Sequence, residues 1–100
     1  MAEKQQIEVD AKYLELISQI LKKYLPNSIV WAYGSRAKFT ADKYSDLDLV
    51  AFDASDIQIG DTLEAFENSI VPFRVSLMRW EKLPEDFKKN IQDCYVEIPL

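Results

Sequence analysis

Two pairs of residues in this sequence have the types and spacing for chemistry: Gly34-Ser35, and Asp46 and Asp48 with Leu47 between them. Glycine tolerates positive φ and close backbone approach, so the N–H groups that follow it can point at a phosphate, with the Ser35 hydroxyl as a further donor. Aspartates at alternate positions of a strand share a face, about 6–7 Å apart for a rise near 3.3 Å per residue. At that separation two carboxylates repel by roughly 2–3 kcal/mol at an effective dielectric near 20. Solvent, a cation or a metal must offset that repulsion. A hard divalent ion such as Mg2+, which takes carboxylate and phosphate oxygens, suits the spacing. Taken singly, each pair has a plainer explanation: an ordinary turn after a strand, and the solvated face of an edge strand. In this order, joined by the basic loop Arg36–Ser45, they point to a site for a nucleoside triphosphate. Arg36, next to the turn, is a candidate phosphate contact because its planar fork can bind phosphate through two nitrogens; a solvated cation is the other reading.

Composition narrows the chemistry further. The chain has 100 residues and is 48% hydrophobic, which predicts one folded domain over residues 1–100. A net charge of −5 argues against broad binding to a nucleic acid backbone. Arg36, Lys38 and Lys43 against Asp42 alone nevertheless make the loop after Gly34 locally basic. There is no histidine, which removes imidazole bases, catalytic triads and histidine metal sites together. Cys94 is the only cysteine, so no intrachain disulfide forms; a reducing cytoplasm is the expected compartment. No apolar run reaches membrane-spanning length, and the first twenty residues contain no apolar signal core.

Apolar spacing predicts the elements that carry these residues. Asp10 is placed to cap a helix with Tyr13, Leu14, Ile17, Ile20, Leu21 and Tyr24 on one stripe, stopped by Pro26-Asn27. Ser28–Tyr33 reads as a buried strand ending at Gly34, followed by a loop or short helical turn to Ser45. Asp46–Phe52 alternates as a second strand. Ile57–Ile70 shows helical spacing, weakened by Gly60. Phe73–Trp80 reads as a third strand, Pro84 opens a short helix through Phe87 and Ile91, and Cys94–Ile98 is a candidate last strand. The order α-β-β-α-β-α, with that short C-terminal strand, predicts an α+β domain: one mixed sheet with helices packed on it. Trp31, Trp80 and Met78 are expected in the core, and Cys94 as a small buried hydrophobe.

With these motifs in place, the chain resembles the minimal nucleotidyltransferases of the DNA polymerase beta superfamily. That family carries Gly-Ser, ten residues, then Asp-x-Asp; here the gap is Arg36–Ser45. Val30-Trp-Ala-Tyr-Gly-Ser-Arg36, Tyr44-Ser-Asp-Leu-Asp-Leu49 and Pro72-Phe-Arg-Val75 carry the resemblance, which spans nearly the whole chain. It implies the nucleotidyltransferase fold, with Gly34, Ser35 and Arg36 binding ATP or another nucleoside triphosphate. Asp46 and Asp48 would be catalytic and would hold Mg2+, or Mn2+ as the alternative. The reaction it implies is transfer of a nucleoside monophosphate to an acceptor with release of pyrophosphate, metals clamping the attacking and leaving oxygens. It also implies a partner, an all-helical HEPN toxin that the nucleotidyltransferase neutralises as antitoxin, in a hetero- or homo-oligomer, without direct nucleic acid or membrane binding.

One position departs from the family. Relatives carry a third carboxylate on the third strand, in a pattern like Arg-Val-Asp-Leu, whereas this chain has Arg74-Val75-Ser76-Leu77. A serine hydroxyl is a poor metal ligand and no base at neutral pH. Arg79 stands where relatives often carry another acid, which leaves two roles open for it: neutralising Asp46 and Asp48, or holding phosphate. An enzyme and a catalytically impaired binding module that docks on its partner are therefore both expected readings.

Overall fold

The computed structural model describes residues 7–100. In chain order it contains α1 (Ala11–Tyr24), β1 (Val30–Tyr33), α2 (Ser35–Lys38), β2 (Leu47–Ala51), α3 (Asp56–Glu67), β3 (Val75–Arg79), a 3-10 turn (Trp80–Lys82), α4 (Glu85–Asp93) and β4 (Val96–Glu97). The strands form one sheet in the order β3-β2-β1-β4. The pairs β1–β2 and β1–β4 are antiparallel and β2–β3 is parallel. This is the mixed sheet that the sequence pattern predicts. No described helix is long and apolar enough to cross a membrane.

Side-chain alternation gives the sheet two unlike faces. Val30, Ala32, Leu47, Leu49, Ala51, Val75 and Leu77 point to one side and form the main core with Ile17 and Leu21 of α1 and Phe66 of α3. Leu47 and Leu49 have no exposed surface, and burial of such a side chain contributes about 1.5–3 kcal/mol. Leu49→Ala at the centre of this layer is expected to cost about 2–5 kcal/mol.

The opposite face carries Trp31, Tyr33, Asp48, Val50, Ser76 and Met78. Here the 3-10 turn and α4 supply a smaller cluster, in which Val50, Leu83 and Ile91 are buried and Trp31, Tyr33, Phe52 and Trp80 pack around them. Trp31 stacks on Tyr95 at 3.8 Å and meets Trp80 edge-on at 5.4 Å. Trp31 and Trp80 thus pack as expected. Met78 does not: it is exposed, because the cover ends before reaching it. Cys94 is half-buried rather than enclosed.

Local signals set the element ends. Asp10 sits at the N-cap of α1 but its side chain caps nothing; the backbone N–H groups of Tyr13 and Leu14 bond to its carbonyl instead. The helix α3 starts at a capping box, with the Gln58 N–H donating to Ser55 Oγ and the Ser55 N–H donating to Gln58 Oε1. That Ser-x-x-Gln signal marks the start better than the apolar spacing, which gives Ile57. The helix stops at Glu67, so Ile70 lies outside it and is exposed.

Candidate functional site

The strand β1 ends at Tyr33, and the chain turns through Gly34 into the four-residue α2. Gly34 has φ +76, in the left-handed region that side-chain-bearing residues rarely adopt. A second constraint acts at the same position: a Cβ built on Gly34 would lie 2.6 Å from Asp48 Oδ2. The turn therefore passes directly against the carboxylate of the next strand, and only a residue without a side chain permits this. Ser35 opens α2, in which the N–H groups of Ala37 and Lys38 bond to Gly34 O, while those of Ser35 and Arg36 come too early in the helix for such a partner.

Asp48 is fixed by the sheet. Its Cα is in register with Tyr33 on one side and Ser76 on the other. Asp46 is exposed and precedes the strand, which begins at Leu47 rather than at Asp46. The carboxyl of Asp48 is held above the ordinary aspartate value, first by burial and then by the negative charge of Asp46. Burial, and after it the charge of Asp48, pushes the Tyr33 phenol up in turn. No described cation forms a salt bridge with either aspartate. Two adjacent acids, one half-buried and neither neutralised, fit a single hard divalent ion that also takes phosphate oxygens. No set of three or more metal-ligating side chains is present among the described residues. The residue at the decisive position is Ser76. It stands beside Asp48 on the parallel neighbour, on the same face and at the same level, where a third carboxylate would complete the set.

Two sequence-based expectations change. Arg36 is not directed at the turn's solvent side; it is buried, and its guanidinium donates to backbone carbonyls, including Ser45 O at 3.0 Å and Glu8 O at 2.6 Å. Its charge is therefore withdrawn from the basic loop. Lys43 lies over the Tyr44 ring at 4.9 Å, and Lys38 is exposed on α2. Arg79 neither neutralises the acid pair nor sits beside the turn. It is at the far end of β3, opposite Ala51, and pairs with Asp56 at 3.2 Å.

Sequence reasoning missed Glu8, which is half-buried and joins the loop through its Oε1, accepting from the Ala41 N–H at 3.0 Å. Nothing in the local pattern marks Glu8, because its partners lie some thirty positions away. A small cleft of about 170 Å³ lined by Tyr33, Gly34, Lys38, Phe87, Asn90, Ile91 and Cys94 opens beside the turn.

The nucleotidyltransferase domain family matches residues 14–98, and with that span the assignment is decided. The chain belongs to the nucleotidyltransferase domain family. A Haemophilus influenzae protein named "Probable protein adenylyltransferase MntA" is 41% identical over 96 residues, covering 93% of this chain and 84% of that protein. Among solved structures, a toxin–antitoxin complex with AMP-PNP matches with TM-score 0.72 at 16% identity, over 86% of this chain and 72% of that one. A mutant MntA–HpeT toxin–antitoxin complex matches with TM-score 0.71 at 13% identity over the same shares. At these identities the structural matches establish the fold, and the nucleotidyltransferase fold is the one observed.

Proposed function

We propose that this nucleotidyltransferase domain binds ATP with a divalent metal and transfers AMP to a protein partner. In this reading it is the cytoplasmic antitoxin of a helical HEPN toxin. The observation that carries the proposal is the contact between the Gly34 backbone and the Asp48 carboxylate. It supports a reading in which the turn binds phosphate and the adjacent acid holds a cation on the same ligand. The similarity to a relative named as a protein adenylyltransferase supports AMP as the transferred group and a protein as the acceptor.

Each residue has a role in this reading. The turn at Gly34 and Ser35 donates to the β- and γ-phosphates. Asp46 and Asp48 would hold the metal, which would supply positive charge to offset that of the phosphates. Transfer forms a bond from an acceptor oxygen to the α-phosphorus and breaks the bond to the bridging oxygen. Pyrophosphate leaves, and the acceptor proton passes to water, since Ser76 supplies no base.

The position of Ser76 favours a second reading, in which the domain binds nucleotide and docks on the toxin without transferring anything. One experiment separates the two. The protein is incubated with its toxin, ATP and Mg2+, and the toxin is examined by intact-mass spectrometry. Addition of AMP that disappears in Asp46→Asn and Asp48→Asn supports the enzyme. An unmodified toxin, still inhibited by the wild-type protein and by both variants, supports the docking module and ends the enzyme reading.

A further inference from the structure

Asp46 and Asp48 differ in what holds them. The strand β2 fixes Asp48 between Tyr33 and Ser76, but Asp46 lies before the ladder begins. The loop leading into Asp46 is held by Glu8 Oε1 at Ala41, by bonds between Asp42 and Ser45, and above all by one buried side chain that reaches three of its carbonyls. Arg36 Nε donates to Ser45 O at 3.0 Å, and Nη2 donates to Lys43 O at 3.2 Å and to Asp42 O at 3.4 Å. Nη1 reaches Glu8 O at 2.6 Å, and the guanidinium lies 3.8 Å from the Phe73 ring centre. The backbone closes the same knot, with the Glu8 N–H donating to Arg36 O at 2.7 Å. Arg36 directly follows Ser35, and Ser45 directly precedes Asp46. The Arg36 side chain therefore ties the residue after the Gly-Ser turn to the residue before the first aspartate.

We infer that Arg36 is a positioning residue, which locks the 42–45 loop so that Asp46 meets Asp48 at a spacing one divalent ion can bridge. The inference rests on the metal–nucleotide reading of the site given above. Arginine is the side chain suited to this role. Its planar fork sends donors to several carbonyls at once while its face stacks on an aromatic ring, whereas a lysine offers a compact point charge. The carbonyl oxygens and the Phe73 ring also replace the counterion that a buried cation otherwise needs.

The test is a double-mutant cycle read by binding rather than by turnover. Affinity for ATP is measured in EDTA and in Mn2+, for the wild-type protein, Arg36→Lys, Asp46→Asn and the double variant. Arg36→Lys is expected to lose about tenfold of the metal-dependent gain in ATP affinity, the scale of effect for residues that orient metal ligands, while binding in EDTA is unchanged. In the Asp46→Asn background the same change is expected to cost nothing further, because its effect passes through Asp46. Independent, additive losses overturn the inference, as does an equal loss in EDTA, which would make Arg36 a phosphate contact or a purely structural residue. If Arg36→Lys does not fold, Phe73→Leu keeps the carbonyl bonds and removes the stacking along with an edge contact to Tyr13, for which the EDTA arm is the control. A smaller loss confined to the Mn2+ arm is expected there, and full wild-type gain overturns the inference. Wild-type protein with no gain from Mn2+ sinks the metal reading itself; a wild-type gain that survives in Arg36→Lys sinks only the positioning role.

Discussion

Asp48 and Asp56 lie at opposite ends of one sheet, Asp48 near the start of β2 and Asp56 at the start of α3, beside the end of β3. Asp56 is exposed, and both Lys82, at 2.8 Å, and Arg79, at 3.2 Å, pair with it. Its carboxyl is held below the ordinary aspartate value by the hydrogen bond from Lys82, then that from Arg79. Asp48 is partly enclosed, has another aspartate as its neighbour, and is held above that value. The chain thus completes its own electrostatics at one end of the sheet and leaves them incomplete at the other. In a small domain with only about 5–15 kcal/mol of net stability, such an imbalance weighs on the fold, and the proposed metal would relieve it.

The most severe way to break the contrast is Gly34→Ala. The positive φ and the approach to Asp48 Oδ2 act together, so a loss of about 2 kcal/mol in chemical denaturation is expected, with nucleotide binding abolished. Asp48→Asn sharpens the contrast in the other direction. Removing one of two facing charges should stabilise the metal-free protein by about 1 kcal/mol near neutral pH, while removing its response to Mg2+. The sign follows from the raised carboxyl: the folded state binds that proton more tightly than the unfolded chain. Stability therefore falls as pH rises from the unfolded value through the folded one, and the advantage of Asp48→Asn grows over that window. Denaturant midpoints measured across the acid range check this.

Ser76→Asp adds a third charge at the level of Asp48. It should lower the melting temperature in EDTA and raise it above wild type in Mg2+, a reversal visible in paired thermal melts. Asp56→Asn is the smallest change. Its lowered carboxyl contributes stability above the unfolded value, and that contribution disappears as pH falls through the folded value. A slight destabilisation at neutral pH that vanishes on acidification is expected, with Mg2+ and ATP binding unaltered because the ion pair is exposed and distant from the turn.

The sheet and its helices are legible in the sequence because apolar alternation and helical spacing report burial directly, as Leu47, Leu49, Val75 and Leu77 show. The capping box at Ser55 is equally legible, since its two residues are three positions apart. Gly34, Asp48 and Ser76 are recognisable by motif, and the register that puts Ser76 beside Asp48 agrees with that placement. The buried setting of Arg36 is not legible. An arginine beside a Gly-Ser turn looks like a phosphate ligand, and only the fold brings Glu8, Ser45 and Phe73 around it. The fate of Arg79 is hidden for the same reason: its partner, Asp56, lies 23 positions away on another element.

The measurement that bears most directly on the site is calorimetric titration of ATP, with and without Mg2+, into the wild-type protein and Asp48→Asn. Binding in the wild type that strengthens markedly with Mg2+, and a loss of that gain in Asp48→Asn, is the result the uncompensated acid pair predicts. Equal affinity in both proteins, or a wild-type affinity indifferent to Mg2+, would contradict it.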